Sequence, residues 1–210
     1  KCIETLDKRR FDRALLGSGD AFRHIVSLVP LLLHLNHPTL PGYVEDAPAG
    51  IAGFILSNYQ QNFLSKEHPE LIEDVQSAVN SDAVFSPILG IYVMGSFGSI
   101  SQTSASDLDI WVCLQDELSE QDQQRLAEKT KKISHWASTF HVEMHFYLMT
   151  QKRFRNERYS DPLTKENSGS AQYMLLLEEF YRSAVRLAGK PLLWLHLWVE
   201  DEKQYEAEVA

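Results

Sequence analysis

Residues 88–114 read ILGIYVMGSFGSISQTSASDLDIWVCL, and this stretch decides the fold. The apolar run Ile88–Met94 predicts a short buried strand, which Gly95-Ser96 closes with a sharp turn. Residues 106–114 then alternate between two kinds of side chain, which predicts a second strand with two different faces. One face carries Asp107, Asp109, Trp111 and Cys113, and the other carries Leu108, Ile110, Val112 and Leu114.

The acidic face of the second strand indicates a metal site. Its period of two places the Asp107 and Asp109 side chains on the same side, about 6–7 Å apart. Carboxylates at that spacing can share or bracket divalent cations such as Mg²⁺, and two cations about 4 Å apart can clamp the oxygens of a phosphoryl displacement. An isolated Asp-x-Asp also occurs as two solvated carboxylates, so the pair alone leaves both interpretations open.

The turn before the acidic pair favours a phosphate ligand. Gly95 lets the backbone approach a phosphate closely, and the Ser96 hydroxyl with neighbouring amides can bond to its oxygens. A helix beginning there would add its N-terminal dipole. A Gly-Ser turn by itself is usually only a turn. Strand, turn and acidic strand in this order, however, are similar to the nucleotidyltransferase fold shared with DNA polymerase β.

The rest of the chain predicts an α+β protein, a mixed sheet with flanking helices. Residues 1–83 form a predicted N-terminal helical segment that packs on a catalytic core over 84–210, unless the two are one continuous domain. Asp20 and Ser119 are the expected helix caps. The predicted elements are helices over 3–16, 20–35, 57–65, 69–80, 119–138 and 172–188, strands over 88–94, 106–114, 142–148 and 191–199, and a mobile charged loop over 150–169.

The third predicted strand supplies a candidate third carboxylate. Its polar face carries His141, Glu143, His145 and Tyr147, of which Glu143 is the acidic residue. Polymerase-type sites use a carboxylate from a neighbouring strand to activate the attacking hydroxyl, so the fold analogy makes Glu143 a catalytic residue and a metal ligand. His141 and His145 flank it, and we interpret them as residues of the site wall or as exposed side chains.

Composition and charge narrow the classes of partner. The 210 residues are 44% hydrophobic and 23% charged, which is typical of a soluble globular protein. The net charge of −9 argues against a nucleic-acid groove, so no nucleic-acid partner is expected. We expect no membrane span, no signal sequence and no disulfide framework, hence a cytoplasmic protein. The chain begins with Lys1 and not with Met, which suggests a fragment of a longer protein.

The string YVMGSFGSISQTSASDLDIWVC (92–113) closely resembles the catalytic segment of class I adenylate cyclases of the enterobacterial type. The loop 37–43, HPTLPGY, and residues 178–190, EEFYRSAVRLAGK, resemble the same family. The resemblance implies ATP as substrate, 3′,5′-cyclic AMP and pyrophosphate as products, and Mg²⁺ or Mn²⁺ as cofactor. Members of the family are longer and carry a C-terminal regulatory region, which this chain lacks.

Mapped onto this sequence, the resemblance implies that Gly95 and Ser96 cradle the β- and γ-phosphates, while Asp107 and Asp109 hold the metals. Trp111 packs under the nucleotide or covers the sheet. Cations for the triphosphate are expected from Arg182, Arg186 and Lys190, which would share one face of the last predicted helix and its exit, although a solvated basic stripe has the same spacing.

Two other functions remain open from the sequence. One is a different nucleotidyltransferase, which adenylylates a protein or a small acceptor. The other is a noncatalytic module that binds ATP. The presence of both Asp107 and Asp109 argues against the noncatalytic module, because a degenerate site has no need of two acidic ligands.

Overall fold

The computed structural model describes residues 2–16, 18–73, 75, 86–97, 107–150, 152 and 178–191. Within these ranges four strands form one sheet in the order β3-β2-β1-β4. β1 is antiparallel to both β2 and β4, whereas β2 is parallel to β3. The predicted class, α+β with a mixed sheet and flanking helices, is therefore confirmed. The strands are β1 (Ile88–Met94), β2 (Leu108–Leu114), β3 (Met144–Thr150) and β4 (Val185–Gly189).

The helices confirm most of the sequence pattern. They are α1 (Cys2–Leu16), α2 (Asp20–His34), α3 (Asn58–Glu67) and α4 (Glu120–Ser138), with a 3₁₀ turn over Pro69–Leu71 and helical residues 178–183 before β4. Among the described residues, no helix is long and apolar enough to cross a membrane. Residues 74 and 76–80 of the helix predicted over 69–80 lie outside the described ranges, as do residue 106, most of the loop predicted over 150–169, and residues 192–199.

The start of α2 differs from the prediction by one residue. Gly19 is the N-cap, with an extended backbone and no side-chain cap hydrogen bond, so the assignment of Asp20 as the cap is wrong. Asp20 lies in the first helical turn, where its carboxylate faces the positive end of the helix dipole. The body of α2 is buried from Leu28 to His34 because its apolar residues surround the helix instead of forming one stripe.

α4 connects the parallel strands β2 and β3, and parallel neighbours require such a crossover. Ser119 caps it as predicted, since its side chain accepts a hydrogen bond from the Asp122 amide at 3.1 Å. Leu126 and Ile133 bury its inner face. The crossover returns the chain so that β3 begins beside the beginning of β2, which brings together residues about 35 positions apart in sequence.

Hydrophobic clusters cover both faces of the sheet. The larger cluster joins α2 to the inner face of β2, and it includes Leu28, Leu32, Ile110 and Val112. The smaller cluster lies on the opposite face, around Trp111 and Phe180. The alternation of β2 predicted from the sequence is thus confirmed. The division of the chain at residue 83 stays a prediction.

The helix predicted over 172–188 is wrong at its C-terminal end. Residues 178–183 are helical, but Val185–Gly189 form β4 on the free edge of β1. Backbone hydrogen bonds to β1 outweigh the helical propensity of this short segment. Gly189, expected to end a helix, has φ +88°, and a Cβ there would stand 2.4 Å from the Leu89 carbonyl oxygen. It is therefore a glycine because two strands approach closely. Residues 172–177 lie outside the described ranges.

Candidate metal and nucleotide site

The end of β1 and the beginnings of β2 and β3 meet at one edge of the sheet. Met94 of β1 pairs with Asp109 of β2, which in turn pairs with His145 of β3. The Leu108 amide donates to the Glu143 carbonyl at 3.0 Å, and this bond places Glu143 just before β3 and not inside it. His141, also predicted on the strand, lies in the preceding turn with φ +60°. Sequence positions far apart thus converge at this edge.

Asp107, Glu143 and His145 form a three-residue cluster at this edge. Each offers one ligand atom, and these atoms all lie within 4.8 Å of one another. The Glu143 carboxylate also lies 3.3 Å from Nε2 of His145. Because the oxygen ligands of hard cations lie at about 2.0–2.6 Å, opposite ligands of one ion stand about 4–5 Å apart. The donor set and its spacing therefore fit a single divalent cation.

Asp109 lies beside this cluster, at the start of β2, where it pairs with His145. It is half-buried, and its carboxylate accepts a hydrogen bond from the Tyr147 hydroxyl at 3.3 Å. Burial raises the pKa of Asp109, while the Tyr147 bond and the nearby His145 lower it and the charge of Asp107 raises it. Burial and the Asp109 carboxylate together raise the pKa of Tyr147 to about 12, so the phenol keeps its proton as the donor.

The turn after β1 lies close to the carboxylates of Asp109 and Glu179. Gly95 has φ +81°, and a Cβ built there would stand 3.9 Å from Oδ2 of Asp109 and 3.7 Å from Oε1 of Glu179. Its amide donates to the Ser183 hydroxyl at 2.8 Å, so this N–H already has a partner inside the protein. Ser96 follows, half-exposed, at the tip of the turn. Both residues predicted to cradle phosphates are thus half-exposed.

Trp111 lies beneath the acidic residues and is fully buried. Its ring stacks on Phe180 with centroids 4.5 Å apart and an interplanar angle of 20°. Phe180 also meets the Tyr92 ring edge to face at 5.4 Å. Trp111 therefore supports the sheet under the helical residues 178–183 and, in this structure, offers no exposed surface to a nucleotide.

The basic residues predicted to share one helix face do not share it. Arg182 lies on the helical segment, exposed, with its guanidinium 2.6 Å from the Glu178 carboxylate. Arg186 lies on β4 and lines a cavity of about 670 Å³ on the side of α1. Lys190 follows β4, and its amide donates to the Leu89 carbonyl at 2.8 Å. The shared face fails because a strand replaces the helix after residue 184.

The sequence analysis assigned no ligand role or supporting role to several residues that the structure places at the site. His145 and Tyr147 were on the predicted polar face of the third strand, and the period of two from Glu143 was the signal for both. Glu179 and Ser183 gave no comparable signal, because their positions depend on the packing of residues 178–183 against the end of β1. Glu143 also lines a cleft of about 510 Å³ with His141 and Ser138, next to the cluster.

Comparison with known proteins gives a consistent family. The chain is 66% identical over 213 residues to an adenylate cyclase of Haemophilus influenzae, an alignment that covers 99% of this chain and 25% of that protein. It is 58% identical over 211 residues to an adenylate cyclase of Pasteurella multocida, covering 100% of this chain and 25% of that protein. The chain thus spans about a quarter of the length of these relatives.

A crystal structure of a toxin–antitoxin with AMP-PNP superposes with a TM-score of 0.29 and 19% identity, over 60% of this chain and 90% of that one. A superposition this loose bears on neither the fold nor the function. Residues 1–195 match the family described as the adenylate cyclase NT domain. With nearly its whole length matched, the chain belongs to the adenylate cyclase N-terminal domain family.

Proposed function

We propose that this chain carries the catalytic site of an adenylate cyclase, which converts ATP to 3′,5′-cyclic AMP and pyrophosphate. One observation carries the proposal. The cluster of Asp107, Glu143 and His145 stands beside Asp109, at the edge of the sheet where β1 ends and where β2 and β3 begin. The family match supports the substrate and the products. Relatives at 66% and 58% identity over nearly the whole chain are adenylate cyclases.

The donor chemistry of this edge fits Mg²⁺ or Mn²⁺. Asp107 and Glu143 offer hard oxygen ligands and His145 a nitrogen, and Asp109, whose carboxylate interacts electrostatically with Asp107 and His145, would complete the shell. When bound, a divalent cation would offset the triphosphate charge and polarise the α-phosphate. The surroundings make such help necessary, because Glu179 adds another carboxylate beside Gly95 and the net charge is −9.

The chain's own groups divide the remaining work. We assign binding of the β- and γ-phosphates to the Ser96 hydroxyl and to amides of the turn other than that of Gly95, which Ser183 already occupies. Arg182 lies one helical turn after Glu179, whose carboxylate is close to Gly95, and we assign it as a cation for the triphosphate. Lys190 lies opposite Leu89, at the other end of β1, and Arg186 lines the cavity on the side of α1, so both are weaker candidates.

Glu143 is assigned to the ribose. The cleft that it lines with His141 and Ser138 offers room for the nucleoside beside the cluster. There the carboxylate would orient the 3′-hydroxyl and accept its proton as the 3′-oxygen attacks the α-phosphorus, with pyrophosphate leaving in line. Trp111 acts indirectly, because its ring fills the space under β2 and fixes the strand that carries Asp107 and Asp109.

Product analysis tests this function. The full-length protein, given ATP with Mg²⁺ or Mn²⁺ and no acceptor, should release cyclic AMP and pyrophosphate in equal amounts. EDTA should suppress both ATP binding and turnover. Adenylylation of a protein or a small acceptor would replace the cyclase with another nucleotidyltransferase. ATP binding without any turnover would leave a noncatalytic module, and binding that is equally tight with and without metal would contradict the carboxylate site.

A further inference from the structure

The N-terminal helix α1 reaches the catalytic turn through Arg10. The half-buried guanidinium donates at 3.4 Å to the carbonyl of Phe97, the last residue that the structure describes in the turn after β1. The same group donates to the Ser183 carbonyl and, at 3.3 Å, to the Ala184 carbonyl, where the helical segment passes into β4. One side chain thus links three parts of the chain that are between 87 and 174 positions apart.

Ser183 fastens the other end of the same turn. Its hydroxyl accepts the Gly95 amide at 2.8 Å and donates to the Glu179 carbonyl at 2.7 Å. The hydroxyl therefore acts as a donor and as an acceptor at the same time, and these two bonds restrict rotation of the Ser183 side chain. The turn is held at Gly95 by Ser183 and at Phe97 by Arg10.

Aromatic packing holds the turn in the same place. The Phe97 ring is 3% exposed and lies 6.0 Å from the Phe11 ring and 6.3 Å from the Phe22 ring, measured between centroids. Phe11 is the neighbour of Arg10 on α1, so α1 contacts both the carbonyl and the side chain of Phe97. Between Gly95 and Phe97 stands Ser96, which carries the hydroxyl of this three-residue stretch.

We infer that Arg10 and Ser183 are positioning residues for the triphosphate, acting through the turn 95–97. This inference rests on the proposed function, because it assumes that Ser96 and the turn amides bind phosphate. A Gly-containing turn has many conformations, and a binding site must select one before the ligand arrives. Arginine suits the task because its planar fork reaches several carbonyls at once, which a lysine ammonium does less well.

The alternative is that Arg10 only stabilises the end of the helical segment, whose last carbonyls it binds. Such a role would lower the stability of the whole chain without a specific effect on ATP. Arg10→Met removes the donors but keeps the alkyl stem, and Arg10→Lys keeps the charge. Arg9→Met, at an exposed neighbour on α1, is the matched control. Ser183→Ala tests the second contact from a different element, and Ser183→Thr should rescue it.

The experiment combines hydrogen exchange with steady-state kinetics on the full-length protein. Arg10→Met and Ser183→Ala should each speed exchange at residues 95–97 and raise the KM for metal–ATP by on the order of tenfold, with a smaller change in kcat. Ser183→Thr should recover much of both effects, Arg10→Lys only a part because one ammonium reaches fewer of the carbonyls, and Arg9→Met should change neither. If Arg10→Met fails to fold, Ser183→Ala still gives both readouts.

Unchanged exchange at 95–97 in both variants would overturn the inference, and so would faster exchange with an unaltered KM. Failure of the proposed function has a different signature, because the unsubstituted protein would then make no cyclic AMP. In that case the KM arm is replaced by metal–ATP affinity, for which loss of binding in Ser183→Ala supports the inference and parental binding overturns it.

Discussion

The Tyr147 hydroxyl lies 3.3 Å from Oδ1 of Asp109 and donates to it across the parallel pair of β2 and β3. Burial raises the pKa of Asp109, and this hydrogen bond opposes the rise by favouring the charged carboxylate. Because the pKa of Tyr147 is itself raised to about 12, the proton stays on the phenol. Tyr147 therefore orients Asp109 and favours its charged form before any cation binds.

Tyr147→Phe should weaken metal-dependent ATP binding by roughly three- to tenfold. The lost bond goes to a charged group, but its length of 3.3 Å places it at the lower end of about 1.5–3 kcal/mol, with part of the loss recovered by solvent. Titration calorimetry with Mn²⁺ and ATP measures the change. Tyr43→Phe, in the loop whose carbonyl contacts Lys132 of α4, serves as the control. Unaltered binding in Tyr147→Phe would mean that Asp109 needs no support from β3.

Asp107→Asn and Asp109→Asn should each abolish cyclic AMP formation while the chain remains folded. Each substitution keeps the shape of the side chain and removes a ligand charge, and losses on the order of 10³-fold or more are expected. Asp46→Asn is the matched control, because Asp46 is exposed, has φ +56°, which Asn tolerates, and pairs with Arg125 at 3.7 Å. Near-normal activity in either site variant would move the active site elsewhere.

Gly95→Ala should lower both nucleotide affinity and thermal stability, and its loss of affinity should exceed that of the control variant Gly53→Ala. The left-handed φ of +81° costs an L-residue about 1–2 kcal/mol, and the added methyl would project between Asp109 and Glu179. Gly53→Ala isolates the backbone effect, because Gly53 has φ +61° and open space around its Cβ position. Thermal unfolding should report similar losses for the two variants. Equal loss of ATP affinity in both would show that the effect is not local to the turn.

His34 gives a prediction about acid stability. It is 8% exposed, its Nδ1 accepts the Ile51 amide at 3.1 Å, and its ring stacks on Phe54 at 4.1 Å. Burial lowers its pKa to about 4. The unfolded chain, with an ordinary histidine near 6.5, binds the extra proton first. The titration of His34 therefore leaves the free energy of unfolding unchanged above about pH 6.5 and lowers it by up to about 3 kcal/mol as the pH drops to about 4.

His34→Asn keeps an acceptor for the Ile51 amide and removes the titration. Denaturant unfolding at several pH values should show a shallower loss of stability between pH 6.5 and 4 than in the parent, even if the variant is less stable at neutral pH. His135→Asn, at an exposed position on α4, should leave the slope unchanged. A parental slope in His34→Asn would assign the acid sensitivity to other groups.

Local pattern predicted the strand, turn and acidic strand because each depends on neighbours in the sequence. Because hydrophobic clusters cover both faces of the sheet, the alternation of residues 108–114 places successive side chains in opposite clusters. Trp111 and Val112 therefore lie on opposite sides of β2. For residues 185–189 the local pattern predicted the wrong element, a helix in place of strand β4. Its apolar residues satisfy a helical period, but the free edge of β1 offered backbone partners that no local pattern reveals.

The candidate site was predictable only in part, for a similar reason. Asp107, Asp109 and Glu143 are acidic residues at strand starts, and strand periodicity points to them. Arg10 lies 173 positions from Ser183, and their contact follows from how α1 packs against β4, just before which Ser183 lies. Periodicity carries no information about which helix packs on which strand, so the contacts that hold the turn could not be read from the sequence.

The last prediction concerns Glu143, whose assigned role is to act on the ribose 3′-hydroxyl. Glu143→Gln should leave most metal-dependent ATP binding in place, because Asp107, Asp109 and Ser96 remain. It should cut kcat by on the order of 10²-fold or more, since an amide cannot take the hydroxyl proton. Calorimetry and product assays measure the two quantities separately, with Glu128→Gln on the exposed face of α4 as the control.

The neighbouring His145 sharpens this test, because its Nε2 lies 3.3 Å from the Glu143 carboxylate. If Glu143 acted only by orienting His145 as a metal ligand, His145→Gln and Glu143→Gln would both weaken metal binding and lower kcat in parallel. A proton acceptor predicts a different result, in which Glu143→Gln loses kcat while the binding of metal and ATP is retained. Glu143→Gln with parental kcat and parental affinity would mean that a solvated carboxylate stands there and that the 3′-hydroxyl is activated from another element.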